Sequence, residues 1–142
     1  MNFHSRKSTS IIIFLLSALL LSVFSTIITY EEYEFGWAFI LSLFFPILAV
    51  WIIYSFYTTW YTIHQNYLSY KSGFIKGKIP IENIREIQVG KTMWSGLKPA
   101  TATRGVIIMY NRYDEIYLSP KTNEAFTAYI LAINPNIKVS YF

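Results

Sequence analysis

The hydrophobic pattern changes once along the chain, near residue 57: continuous apolar runs lie before it and alternation with polar residues after it. The first run, Ile11 to Thr29 (IIIFLLSALLLSVFSTIIT), carries no charge. At about 1.5 Å per residue it forms a helix of roughly 28 Å, close to the hydrocarbon thickness of a bilayer. A second uncharged run, residues 36–57, is long enough to return, and only residues 30–35 separate the two. The pattern therefore predicts a transmembrane helical hairpin, because a helix satisfies its backbone polar groups without water. Pro46 predicts a kink in the second helix. Neither run contains an Asp, Glu, Lys, Arg or His, which argues against a proton relay or an ion pathway.

After residue 57 the two-residue period of half-buried strands takes over. Trp60 to His64 and Tyr67 to Ser72 read as a hairpin turning at Gln65-Asn66, and Phe74 to Ile79 reads as a third strand. In that third strand Ile75, Gly77 and Ile79 face one way and Lys76 and Lys78 the other. Gly77 between lysines lacks the following helix start of a phosphate loop and reads as a bulge or a closely packed strand position. Ile84 to Val89 restarts the alternation after Pro80. Val106 to Tyr110 and Asp114 to Leu118 form another hairpin, and residues 90–105 between the two groups make a long loop of the kind that is functional or disordered. Ser119 and Pro120 read as the N-cap and first residue of a final helix. Its apolar face is Phe126, Tyr129, Ile130 and Ile133, and Asn134-Pro135 stops it. The expected fold class is α+β: the hairpin, then a small antiparallel β roll or barrel capped by a C-terminal helix.

Charge orients the hairpin. The leader, residues 1–10, carries Arg6 and Lys7; the connector carries Glu31, Glu32 and Glu34; residues 58–142 carry ten Lys/Arg against five Asp/Glu. These are +2, −3 and +5, which account for the net +4 of the chain. Lys and Arg resist translocation, so both termini are expected on the cytoplasmic side of the cell membrane and the acidic connector outside. Tyr30, Tyr33, Phe35 and Trp37 suit one interface, and Tyr54, Tyr57, Trp60 and Tyr61 the other. The first run is longer than the apolar core of a signal peptide, and Ser25 to Tyr30 has no Ala-x-Ala-like cleavage site.

Little chemistry is visible. The chain has no cysteine, which removes disulfides and thiolate nucleophiles. Its two histidines, His4 and His64, lie in different segments, a poor basis for a metal site. Asp114 beside Glu115 is a carboxylate pair, but a turn followed by a solvated strand face accounts for it. No serine sits in a Gly-x-Ser-x-Gly setting. The sequence thus predicts no catalytic residue, no metal site and no cofactor. Binding residues are easier to find: Lys71, Lys76, Lys78, Lys91, Lys98, Arg104 and Arg112 fall in strands or loops beside a membrane. Trp94 in the long loop is a candidate contact anchor. Solvation of exposed strand faces is the ordinary role of such lysines.

The strand pair WYTIHQNYLSYKSG, the segment KIPIENIREI, the junction IYLSPKTNEAF and the tail NPNIKV occur in order. With them the region from Thr58 to Val139 resembles the bacterial pleckstrin-homology-like (PH-like) domain of the YyaB-like family. That family of small membrane proteins includes immunity proteins against secreted antimicrobial peptides. The resemblance implies a twisted two-sheet roll with a capping helix on the cytoplasmic side, and no particular ligand. Eukaryotic lipid-binding relatives carry basic residues around the first hairpin loop, whereas this chain has His64-Gln65-Asn66 there.

The expectation is a non-enzymatic, membrane-anchored interaction module. Its surface is Lys71, Lys76, Lys78, Lys91, Trp94, Lys98 and Arg104, and its partner a protein, a second copy of the chain, an anionic membrane surface or an antimicrobial peptide. Nucleic acid is not expected, because the aromatics are accounted for by interfaces and strand cores and no RNA-binding signature occurs. The alternative is an accessory subunit packing through its spans, for which Ser17, Ala18, Ser22 and Ser25 supply small residues.

Overall fold

Alternation along the strands sorts side chains into an inner and an outer set, and the inner sets of two four-stranded sheets meet to form the core. The computed structural model describes residues 1–33 and 35–142. The first sheet contains β1 (Asn2–His4), β2 (Trp60–Ile63), β3 (Tyr67–Ser72) and β4 (Ile75–Pro80), in that order and antiparallel throughout. A 3₁₀ turn, Ile81–Asn83, leads into β5 (Ile84–Val89) of the second sheet. There β6 (Val106–Tyr110) and β7 (Asp114–Leu118) pair antiparallel on one side of β5, and β8 (Lys138–Tyr141) pairs parallel on the other.

Tyr61, Ile63 and Leu68 from the first sheet meet Ile87, Ile108, Ile116 and Leu118 from the second, all fully buried. Each such side chain contributes roughly 1.5–3 kcal/mol relative to exposure. The helix α4 (Asn123–Ile133) closes the roll with Phe126 and Ile130. Phe126 meets Phe3 of β1 edge to face at 5.2 Å and Tyr61 of β2 at 6.1 Å.

Between β1 and β2 the chain makes a helical hairpin. Its arms are α1 (Thr9–Tyr33) and the pair α2 (Trp37–Ser42) and α3 (Phe44–Tyr57). Both arms are long and apolar enough to cross a membrane, and the rest of the chain leaves them almost uncovered. The break between α2 and α3 falls at Leu43, where the backbone stays helical, and follows from Pro46. Proline has no N–H to offer the carbonyl four residues earlier, and that carbonyl, on Ser42, accepts instead from Thr26 Oγ1 of α1 at 3.2 Å. The same hydroxyl is shared with Ser22 O at 2.9 Å. A polar group left bare by proline thus becomes a link between the arms.

The helices join the domain through buried hydroxyls. Ser5 Oγ lies 3.0 Å from Tyr61 Oη, 2.7 Å from Thr101 Oγ1 and 2.9 Å from Ser119 Oγ. Tyr61 Oη donates to Pro99 O at 2.7 Å and accepts from the Ser119 N–H at 3.1 Å. None of these four side chains is more than 4% exposed. At the other arm, Thr59 Oγ1 donates to Ser55 O at 2.7 Å and lies 2.8 Å from Ser72 Oγ.

Several features depart from the sequence reading. Residues 2–4, taken as part of a leader, are a strand of the first sheet, too short for alternation to reveal. The strand β8 is likewise new, and it makes the second sheet mixed. Tyr61, assigned to a membrane interface, lies in the domain core. Ser119 does not cap α4: its hydroxyl belongs to the buried cluster, and the helix begins after Thr122. The connector is shorter than expected because α1 runs on to Tyr33. Glu34 and the side chain of Tyr33 lie outside the described residues. The long loop is ordered, with the Tyr117 N–H bonded to Leu97 O at 3.0 Å and the Gly90 N–H to Gly105 O at 2.8 Å.

Two outcomes follow. Because β1 covers the edge of β2 and Phe3 covers Phe126, residues 58–142 alone are expected to aggregate or unfold without cooperativity. The same fragment preceded by residues 1–8 on a short Gly/Ser linker should melt cooperatively in differential scanning calorimetry; equal behaviour of the two would refute the role of β1. Tyr61→Phe should cost about 2 kcal/mol by leaving Pro99 O and the Ser119 N–H unpaired. Burial holds the Tyr61 phenol above its ordinary value. Above about pH 10 the unfolded chain loses this proton first, so stability falls as pH rises. Thermal unfolding at neutral and alkaline pH should show that loss in the parent and a smaller one in the variant.

Candidate functional site

The register of the first sheet decides which polar side chains share its outer face. His4, Trp60, Lys71 and Lys76 are successive cross-strand neighbours in one row, and Asn2, Thr62, Ser69 and Lys78 form the next. Two residues along a strand separate the rows by about 7 Å. The first row lies at the end of the sheet that joins the helices, since His4 leads to α1 and Trp60 follows α3. Lys71 and Lys76 face each other directly, and an open groove of about 400 Å³ runs between Trp60, Ser69, Lys71, Lys76 and Lys78. Lys78 Nζ sits 4.8 Å from the centroid of the Tyr67 ring. Beneath the groove, Tyr70 covers the backbone at Gly77, where any side chain would collide with its phenol. This is the close-packed strand position that the sequence suggested.

The β3–β4 turn is pressed onto α3. Gly73 has a φ of +57°, and a side chain there would strike Ser55. Its N–H donates to Thr58 Oγ1 at 3.1 Å. The next residue, Phe74, is 74% exposed and meets Tyr54 of α3 at 6.0 Å. Phe74 and Ile75 therefore form an apolar tip level with the last turn of an apolar helix, one residue before Lys76.

A second basic group gathers at the start of α1. The Arg6 guanidinium donates to Thr103 O and to Arg104 O. Lys7 Nζ donates to Tyr57 O at 3.0 Å and lies 4.2 Å from the Tyr57 ring centroid. Partial burial lowers the Lys7 pKa from the usual lysine value. Arg104 has a φ of 52°, held by its N–H to Thr92 Oγ1 at 2.9 Å and by Asn123 Nδ2 donating to its carbonyl.

The structure thus divides the expected surface. Lys71, Lys76 and Lys78 share the groove; Arg104 joins Arg6 and Lys7. Lys91 lies apart, 4.9 Å from the Phe142 ring centroid, and Lys98 is exposed on the long loop. Arg112 sits over Tyr113 in the turn at the far end. Trp94 is 89% exposed, while its neighbour Met93 packs under the loop against Ile107 and Tyr117. Sequence reasoning did not bring in Trp60, Phe74 and Ile75, because only the register and the seat of Gly73 on Ser55 reveal their place. At the far end, a depression of about 490 Å³ beside Gln65 and Asn66 has Glu82 as its one charged lining residue. Among the described residues no three His, Asp or Glu side chains converge.

A family model described as "Bacterial PH domain" matches residues 59–134, which leaves out β1 and β8. The chain is also 31% identical over 103 residues to the uncharacterized protein YyaB of Bacillus subtilis (strain 168), an alignment covering 72% of this chain and 69% of that protein. No solved structure matches the chain.

The exposure of Trp94 makes its removal structurally cheap. Trp94→Ala should change unfolding free energy by less than about 0.5 kcal/mol, as surface changes do. A core tryptophan would cost about 3–5 kcal/mol, and a loss of that size in thermal unfolding would show that the loop packs inward in solution.

Proposed function

This chain belongs to the bacterial PH domain family, and from that premise we propose that it is a membrane-anchored, non-catalytic interaction module held against the cytoplasmic leaflet by its helical hairpin. PH-like domains are interaction folds, and nothing in the groove or the basic cluster resembles an activated nucleophile or a paired acid and base. The observation that carries the reading is the position of the hairpin between two paired strands. With β1 hydrogen-bonded to β2, the segments before α1 and after α3 lie on one side of whatever the helices cross. Two crossings satisfy this condition and one does not.

Charge supports the cytoplasmic side. Arg6, Lys7, Lys71, Lys76 and Arg104 gather where the helices meet the domain, and Glu31, Glu32 and Glu34 lie at the opposite end of the hairpin in sequence. Such an arrangement follows the positive-inside rule. It also accounts for Phe74, which would be an unexplained exposed phenylalanine in water and is an ordinary interfacial residue beside Tyr54 at a membrane surface.

The topology is tested by fusing reporters to the full chain. Green fluorescent protein after Phe142 should fluoresce, and alkaline phosphatase at the same position should be inactive. Phosphatase inserted in the connector between α1 and α2 should be active. An active phosphatase after Phe142 would overturn the proposal.

A further inference from the structure

Resting on that membrane-anchored reading, we propose that the groove between Lys71, Lys76 and Lys78 is a binding site for the phosphate of anionic lipid headgroups, entered from the leaflet in which the hairpin stands. Three independent observations lead to it.

The first is unrelieved repulsion. Lys71 and Lys76 are directly opposed across β3 and β4, and Lys78 projects from the same face. Like charges facing each other across a sheet are destabilising. Among the described residues the salt bridge found is between Lys138 and Glu86, on the other sheet, so no carboxylate offsets the three lysines. Ammonium groups opposed across one open groove suit an anion. A phosphate bearing two free oxygens can accept from two of them at once.

The second is position. The tip residues Phe74 and Ile75 sit against the last turn of α3, and Lys76 follows at once. The lysine groove therefore begins where the apolar part of the bilayer ends. The backbone of Lys78 lies one row, about 7 Å, farther out, and its ammonium rests over the Tyr67 ring. A soluble anion has no need of this placement; a headgroup cannot reach a groove anywhere else.

The third is the character of the walls. Trp60, 39% exposed, borders the groove next to Lys71, and Tyr67 lies under Lys78. An indole beside ammonium groups suits the glycerol region of a lipid, apolar on one side and hydrogen-bonding on the other. The Gln65-Asn66 turn at the far end lacks the opposed pair Lys71 and Lys76 and the proximity to the helices, so the site is centred at the opposite end of the first sheet from that loop.

The test uses the full chain in nanodiscs made of equal parts phosphatidylcholine and phosphatidylglycerol, with native mass spectrometry of the lipids retained after mild release. The parent should retain phosphatidylglycerol preferentially. Each lysine changed to glutamine is expected to lower that preference roughly fivefold, the factor that about 1 kcal/mol per charge represents. The triple variant K71Q/K76Q/K78Q should lose at least tenfold. Its thermal stability should equal or exceed the parent's, since the opposed charges are gone, whereas a drop in stability with unchanged lipid preference would mean that the lysines only solvate the sheet. Inorganic phosphate added at millimolar concentration should leave the lipid bound; displacement by it would assign the groove to a soluble anion and overturn the lipid assignment. A triple variant that stays in the membrane with its termini oriented as before, yet keeps the parent's preference, would remove the groove and leave the anchoring intact. Loss of membrane insertion in the parent itself would instead remove the anchoring.

Discussion

The structure depends on a small buried hydroxyl cluster where the helices meet the domain. Ser5 reaches the end of β2, the long loop and the residue after β7 through one oxygen. Buried hydroxyls are costly when unpaired and stabilising when every partner is present, and in this cluster the partners come from segments far apart in sequence. The arrangement holds only if β1, the long loop and the end of β7 are all in place together. Removing any one of them leaves the others with buried, unpaired groups, so the cluster makes the seat of the domain on its helices cooperative.

The same junction explains why the outer surface is uneven. At the helix-joining end Lys71 and Lys76 of the first sheet, Arg104 of the long loop and Arg6 and Lys7 of the leader lie near one another, and none of them is in a salt bridge among the described residues. At the far end Arg85, Arg112, Glu82 and Asp114 are mixed, and the Arg85 guanidinium donates to Arg112 O at 3.0 Å.

Much of this was legible in the sequence because the relevant signals were long or periodic. Two uncharged runs announced the helices, and alternation announced six of the eight strands and the inner and outer sets of β4. The strands that escaped were β1, three residues long, and β8, four residues after a helix, each too brief to show a period. The site was half legible. Lysine types and their faces could be read, but the direct opposition of Lys71 and Lys76 depends on the register of two strands, and the nearness of Phe74 to the helix depends on Gly73 seating against Ser55. Ser119 misled for a physical reason: a serine before proline has the local chemistry of a cap, and a tertiary partner, Ser5, claimed its hydroxyl instead.

The placement of the helical hairpin between β1 and β2 has a consequence for biosynthesis. The first strand emerges from the ribosome before either helix, and its partner emerges only after both. In the proposed membrane-anchored arrangement the strand waits at the membrane surface until the hairpin has crossed and the chain has come back to the same side. A molecule inserted with one arm too few would bring β2 out on the wrong side, and Phe126 would stay bare and the sheet edge open to proteases. On that proposal, closure of the first ladder inspects insertion, in the order in which the chain is made.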